Sequence, residues 1–198
     1  MTEFFRDPAL FAALRDQILP DLIAATRQRS SHQVGGWGEL RLWSAGCATG
    51  EEAYSLAILV ADLLGDELEQ FSVRIFATDL DSDAIAFARR GVYSASAIAS
   101  PPQDLVARFF DRVDGEYVVK KRVRALVTFG EHDLAQRAPF PRIDPVLCRN
   151  VLIYFTLEPQ KRVLQLFAYS LRDNGYLVLV RRRLVAHCRN FSCQCSPR

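Results

Sequence analysis

The sequence predicts an α/β fold: a parallel sheet with helices on both faces and a small antiparallel β insertion. Three observations predict it. Short β-rich runs alternate with helix-length runs along most of the chain, the pattern of βαβ units. The run Arg41-Leu-Trp43 leads into a loop bracketed by Gly46 and Gly50, which opens directly onto a helical stretch. The next strand, residues 73–78, ends in the acid Asp79. A strand, a glycine loop, a helix N-terminus and an acid one strand later form the corner at which open α/β sheets bind nucleotide-like ligands.

The loop restricts the ligand. It lies in Trp43-Ser-Ala-Gly-Cys-Ala-Thr-Gly-Glu-Glu-Ala-Tyr-Ser55. This is not the dinucleotide G-x-G-x-x-G, and it lacks the lysine of a P-loop. Glu51 and Glu52 stand where a phosphate would want bare N–H groups. A ligand with a positive charge and no phosphate suits the loop better, and S-adenosylmethionine (SAM) is such a ligand. An ordinary β-turn-α connection accounts for the loop alone equally well.

The 198 residues suit one domain, at ~100–200 residues per domain. Lys and Arg number 25 against 23 acids, a net charge of +2, so nothing global points to nucleic acid. No apolar run approaches the ~20 residues of a membrane span. The N-terminus has no basic-then-apolar signal pattern. The expectation is a cytoplasmic chain without membrane insertion. Cys47 and Cys148 lie inside the motif segments, whereas Cys188, Cys193 and Cys195 crowd the end. Disulfides are not expected in a reducing cytosol. His187 and the three terminal cysteines match no common zinc spacing, so no metal site is expected.

Each element has a local cause. Asp7-Pro8 starts the first helix, Asp as N-cap and Pro in the first turn. Leu10, Phe11, Leu14 and Ile18 follow at helical spacing, and Pro20 ends or kinks the helix. Residues 27–38 are polar and glycine-rich and read as a loop; residues 39–44 read as the first strand. The helix over 51–64 is apolar almost all round, hence buried. Asp81 caps the helix over 82–90, which Gly91 stops. Ser100-Pro-Pro-Gln103 opens a short helix carrying Leu105, Val106, Phe109 and Phe110. Asp114-Gly115 is a turn. Residues 117–119 and 123–129 read as strands of a small sheet outside the main one. Lys120, Lys121, Arg122 and Arg124 decorate it, either as edge protection or as a docking face for an acidic partner. Residues 143–148 read as the fourth parallel strand, with Pro145 near its start because it lacks a donor. Thr156 caps the next helix, which turns Val163, Leu164, Phe167 and Leu171 inward. Asp173-Asn-Gly175 turns the chain into the fifth strand, residues 176–180.

Four segments in register carry a resemblance. They are Thr2-Glu-Phe-Phe-Arg6, the glycine loop, Ala77-Thr-Asp-Leu-Asp81 and Cys148-Arg-Asn-Val-Leu-Ile-Tyr-Phe155. Over roughly residues 2–180 the chain resembles the CheR family, SAM-dependent protein-glutamate methyltransferases that act on chemotaxis receptors. The resemblance implies a Rossmann-like SAM-dependent methyltransferase domain over 1–180, with the small β-subdomain inserted at about 93–130. It implies SAM as cofactor and the cytoplasmic helices of chemoreceptors as partner. It implies transfer of a methyl group to a glutamate side chain, giving the methyl ester and S-adenosylhomocysteine.

Carried over residue by residue, the resemblance assigns SAM contacts to Thr2, Arg6, Glu51, Asp79, Asp133, Leu134, Asn150 and Val151. Asp79 would accept from both ribose hydroxyls. Asp133-Leu134 stands where the family usually has Asn-Leu, and either side chain accepts from the adenine amino group. His132 is read as incidental. Asn150 would meet the amino-acid end of SAM. Arg6 and Tyr154 are the candidate catalytic residues, as orienters of the incoming carboxylate. The family's Asn two residues before the Thr has no counterpart, since only Met1 precedes Thr2.

Beyond Val180 the resemblance stops. Those eighteen residues contain five Arg and no acid, and an Arg/Cys-rich disordered tail is expected over 181–198. A shifted or truncated reading frame would account for it. The family's N-terminal helical domain and usual C-terminal segment are expected to be absent. Two rival readings stay open: a truncated, catalytically impaired SAM-binding module, and a dinucleotide-dependent oxidoreductase, against which the loop spacing and Glu51 and Glu52 argue.

Overall fold

The computed structural model of the chain describes residues 2–31, 37–180, 184–189 and 192–197. Helix α1 (Pro8–Ala13) opens at Asp7, whose carboxylate accepts from the Leu10 amide at 3.3 Å. A π-helical turn, Leu14–Ile18, then leads into α2 (Leu19–Ser31). Pro20 has no N–H to return to the preceding turn, and the wider turn before it accommodates that loss. Residues 27–31 are the end of α2 rather than the expected loop. Leu19, Leu22, Ile23 and Thr26 are buried on its inner face, so the polar residues after them are its outer face and not a break. Residues 32–36 of that expected loop lie outside the described residues.

The remaining helices are α3 (Glu51–Leu64), α4 (Ser82–Arg90), α5 (Gln103–Phe109), α6 (Lys121–Arg124) and α7 (Leu157–Ser170). The strands are β1 (Gly38–Ala45), β2 (Phe71–Asp79), β3 (Val92–Tyr93), β4 (Phe110–Val113), β5 (Glu116–Val119), β6 (Val127–Glu131), β7 (Ile143–Arg149), β8 (Leu171–Val180), β9 (Leu184–Arg189) and β10 (Ser192–Pro197). The main sheet has the order β10-β9-β8-β7-β1-β2-β6, and β3-β5-β4 form a separate small sheet. The pairings β2–β6, β1–β2, β1–β7 and β7–β8 are all parallel. This is the expected α/β fold. The chain winds outward from β1 through β2 to β6, then crosses to β7 on the other side of β1. The switch point therefore lies between β1 and β7, where the C-terminal strand ends of such sheets bind ligands.

Strand alternation divides the core between the two faces of the sheet. In β1, Leu40 and Leu42 join the cluster that holds α2, α3 and α4. Trp43 and Ala45 join the cluster on the opposite face with Val163 and Phe167 of α7. Asp81 caps α4 through the Asp83 and Ala84 amides, and Gly91 ends it in the left-handed conformation, as expected.

Three expectations are corrected here. Residues 123–129 are not a strand of the small sheet: Val123 lies within the one-turn helix α6, and β6 pairs with β2 in the main sheet. The cause is burial: Val123 sits fully inside a helical turn and Phe129 packs against Tyr54, so the run serves the main core. The inserted sheet accordingly spans residues 92–119. Thr156 occupies the N-cap position of α7 without a side-chain bond. The Gln160 side chain ties down the preceding turn, its Nε2 donating to the carbonyls of Leu152 and Phe155 at 2.8 and 2.9 Å. Lastly, the described parts of 181–198 are two strands, β9 antiparallel to β8 and β10 antiparallel to β9, where a disordered tail was expected. An unpaired β8 edge is a template for further strands, and the run Leu184-Val-Ala186 is apolar enough to take it. The side chains of His187, Cys188, Cys193 and Cys195 lie outside the described residues.

At the far end of the sheet from the switch point, Pro145 is accommodated by a register shift in β7. The neighbouring Asp144 carboxylate accepts from the Arg41 amide at 2.9 Å, which supplies the acceptor that the shifted strand does not. Arg29 and Arg172 lie 2.9 and 3.5 Å from the same carboxylate.

Candidate functional site

The C-terminal ends of β6, β2, β1 and β7 open onto one cleft of about 760 Å³, a size usual for small-molecule sites. Its wall at β1 is the glycine loop. Gly46 has φ +82°, and a Cβ there would stand 2.0 Å from Cγ2 of Val151. Only glycine lets the β1 loop and the β7 loop meet this closely. The Gly46 and Cys47 amides both donate to the Thr78 carbonyl, at 2.7 and 3.0 Å, which ties the loop to β2. Ala48 and Asn150, one in each loop, also hold positive φ, 45° and 56°. Non-glycine residues in that region are held there by their surroundings and concentrate at functional sites.

At β2, Asp79 accepts from the Ala48 amide at 2.8 Å through one oxygen and from the Asp81 amide at 3.1 Å through the other. A carboxylate has about four lone-pair sites, so it remains able to accept from a diol. Past β6, Asp133 and Leu134 line the cleft. Asp133 also holds its own turn, its Oδ1 accepting from the Ala135 amide at 2.8 Å. Past β7, Asn150, Val151 and Tyr154 line the same space, Tyr154 being 83% exposed at its mouth.

The N-terminal segment forms the remaining wall with Thr2 and Arg6. It is pinned at several points. Thr2 Oγ1 lies 2.8 Å from Thr49 Oγ1, and the Phe5 amide donates to Ser55 Oγ at 2.9 Å. The Phe4 ring packs edge-on against Tyr93 and Phe110 of the insertion, with centroids at 4.8 and 5.3 Å.

The structure thus brings Thr2, Arg6, Asp79, Asp133, Leu134, Asn150, Val151 and Tyr154 to one cleft. It does not bring Glu51 there. Glu51 is buried behind the loop, where its carboxylate accepts from the Thr49 hydroxyl at 2.6 Å. Glu52 lines the cleft instead. One residue along a helix turns the side chain by about 100°, so the phase of α3 decides between the two acids, and the Glu-Glu pair alone does not.

Arg149, His132 and Cys47 also line the cleft, and the sequence assigned none of them a role there. Arg149 lies 3.4 Å from Glu52, with side chains only 8% and 13% exposed. Ser44 Oγ donates to the other Glu52 oxygen at 2.7 Å. Burial pushes the Glu52 carboxyl up from its ordinary range, and Arg149 and Ser44 oppose that rise. His132, read as incidental, also lines the cleft; its Nε2 is 3.1 Å from the Ala138 carbonyl. Arg149 was legible as the middle residue of Cys148-Arg-Asn150, but its burial was not. Cys47 lines the cleft too, and burial pushes its thiol well above the usual range.

Chemically, the described lining offers the carboxylates of Glu52, Asp79 and Asp133, able to accept from a diol or an ammonium, and includes no lysine. The donor set suits a nucleoside bearing an amino-acid end. Among the described residues no metal-binding group of three or more His, Cys, Asp or Glu is present, and no helix is long and apolar enough to cross a membrane.

Comparison with known proteins agrees with this geometry. The family described as CheR methyltransferase, SAM binding domain, matches residues 1–194. An uncharacterized 104.1 kDa protein of Rhodobacter capsulatus is 39% identical over 179 residues, covering 90% of this chain and 18% of that protein. The probable chemotaxis protein methyltransferase of Rhizobium etli is 35% identical over 183 residues, covering 90% of this chain and 65% of its own length. Chemotaxis protein methyltransferase 1 of Pseudomonas aeruginosa is 35% identical over 185 residues, with 90% and 64% covered. The chain therefore spans less than two thirds of the length of these relatives.

Proposed function

The chain belongs to the CheR methyltransferase family, and we propose that it transfers the methyl group of SAM to glutamate side chains of chemoreceptors in the cytoplasm. The observation that carries this reading is the convergence of residues from four strand ends, with Arg6 and Tyr154, on a single cleft. The family match, which reaches past β8 into the last strands, supports it.

When bound, SAM supplies an electrophilic methyl group on a sulfonium. The residues of the chain bind, orient and exclude water. In this reading Asp79 accepts from the ribose hydroxyls. Asp133 and Leu134 face the adenine edge, and Thr2, Arg6, Asn150 and Val151 close the site around the remainder. Glu52, rather than Glu51, presents a carboxylate to the amino group. The acceptor glutamate, with a pKa of ~4.3, is already ionised at neutral pH. No general base is needed, which fits a cleft without a Ser-His-Asp or Cys-His set. What remains is alignment of the carboxylate in a dry site, and Arg6 and Tyr154 are the groups at the mouth able to provide it.

The test is calorimetric titration with S-adenosylhomocysteine beside an Asp79→Ala variant, then transfer of labelled methyl from SAM to a receptor cytoplasmic fragment. Binding that the variant loses, together with base-labile label on the receptor, is the expected result. Binding without any transfer would favour the second reading, a SAM-binding module. A folded chain that binds neither SAM nor its product would end both.

A further inference from the structure

A second groove, of about 490 Å³, adjoins the cleft along the N-terminal segment, and Glu3 and Arg6 line both. Its floor is apolar, made of Phe5, Phe11, Leu59 of α3 and Leu105 of α5. Around that floor stand the carboxylates of Glu3, Asp7, Asp62 and Asp104, against the guanidiniums of Arg6 and Arg15. Arg15 is already bonded at 2.7 Å to Asp16, which lies outside the lining. Asp62 pairs with Arg108 at 2.5 Å, and Asp7 caps α1. Glu3 and Asp104 have no ion pair among the described residues.

An apolar floor under an excess of carboxylate suits a cation with an apolar stem. A bare metal ion does not suit it, because no group of three or more His, Cys, Asp or Glu able to hold one occurs among the described residues. Phosphate groups would meet like charge. A lysine or arginine side chain matches both parts, its methylenes on the floor and its charged head at the rim.

Position identifies the source. A protein that sends a glutamate into the cleft passes over residues 3–6, and the groove begins on those same residues. On a helix, side chains three or four positions apart share one face at ~5–6 Å. The groove therefore repels an acidic neighbour of the glutamate and attracts a basic one. We propose that it is a docking site for a lysine or arginine of the acceptor protein, carried on the same helix face as the glutamate to be methylated. The proposal rests on the proposed transfer to glutamate side chains.

Two helical peptides are the probes. Each has one glutamate; the first has lysines three and four residues to either side, and its twin has glutamines there. Wild type, Asp104→Lys and Ala12→Phe are saturated with S-adenosylhomocysteine and titrated with both. Asp104→Lys reverses a rim charge and Ala12→Phe fills the groove from α1, and neither residue lines the cleft. Thermal melts, and S-adenosylhomocysteine affinity within about threefold of wild type, check that fold and cleft are intact. An ion pair at a solvated rim contributes a factor of up to about 5. With Glu3 and Asp104 both available, wild type is expected to prefer the lysine peptide by about 5- to 20-fold. In methyl transfer the preference should appear in KM, with kcat within about threefold. Both variants should lose it to within about twofold.

Equal binding of the twins by wild type, or a preference that survives in either variant, would overturn the proposal. So would a preference in binding that transfer does not share, because the groove would then serve a partner other than the acceptor. A chain that binds S-adenosylhomocysteine but methylates neither peptide nor a receptor fragment defeats the proposed function itself, a result read from wild type alone.

Discussion

Substituting Gly46 by Ala tests how the two loops of the cleft are joined. Two costs add. The residue holds φ +82°, where an L-side chain costs roughly 1–2 kcal/mol. The new Cβ would also meet Val151 Cγ2 at 2.0 Å, and Val151 must retreat to reach ordinary separation. Overpacking of that kind costs about 1–3 kcal/mol. The expected loss is about 2–5 kcal/mol, a large share of the ~5–15 kcal/mol available to a domain. Urea denaturation measures it. The two costs separate in a double-mutant cycle, because Val151→Ala removes the steric term and leaves the backbone term. Gly46→Ala/Val151→Ala should therefore be more stable than the sum of the single changes by about 1–3 kcal/mol. Additivity within ~0.5 kcal/mol would refute the claimed close approach, and a cost of Gly46→Ala below that size would refute the strain as well.

Asp144→Ala leaves Arg29, Arg172 and the Arg41 amide without their shared acceptor and should cost about 3–5 kcal/mol in urea. Binding of S-adenosylhomocysteine by the folded fraction should be unchanged, as Asp144 lies at the far end of the sheet. Burial raises the thiols of Cys47 and Cys148, so at pH 8 each is almost wholly protonated in the native chain, and mapped peptides should show neither alkylated until urea unfolds it. Tyr154→Phe should slow methyl transfer about tenfold or more, the scale of one hydrogen bond to a charged acceptor. Its affinity for S-adenosylhomocysteine should stay within about threefold, since the hydroxyl is argued to act on the acceptor.

Sequence carried most of the sheet because its signals there are local. Gly46, Gly50, Asp81 and Gly91 each announce a turn or cap by residue type, and each stands where expected. The cleft residues were legible for a similar reason: they sit at strand ends, which the alternation of β and α runs locates. What was not legible depended on partners distant in the chain. Residues 123–129 read as strand by composition, but whether they join the small sheet or the main one is decided by Tyr54, 75 residues before Phe129 (129 − 54), and by β2, where Ile75 lies 52 residues before its partner Val127 (127 − 75). The choice between Glu51 and Glu52 turns on Thr49 and Arg149, and the latter lies 97 residues on from Glu52. The strands β9 and β10 were hidden by an Arg- and Cys-rich composition, although the β8 edge was there to receive them.

Thr49 shows why the first residues matter to a cleft built from strand ends. Its hydroxyl lies between Thr2 Oγ1 and the Glu51 carboxylate, at 2.8 and 2.6 Å. Its carbonyl accepts from the Tyr93 hydroxyl at 2.8 Å. Tyr93 belongs to the inserted sheet and also packs against Phe4. The N-terminal segment, the glycine loop and the insertion therefore meet at one residue. Phe5 and Asp7 are held at φ 52° and 78°, conformations that an unattached segment would leave. The attachments at Thr49, Ser55 and Tyr93 oppose that release, and Arg6 lies between the two strained residues. Burial of Phe4 and Phe5 thus supports the placement of Arg6 at the cleft mouth. Loosening Phe4 by truncation should then disturb Arg6 and Thr2 together while leaving Asp79, which the loop amide holds independently, in place.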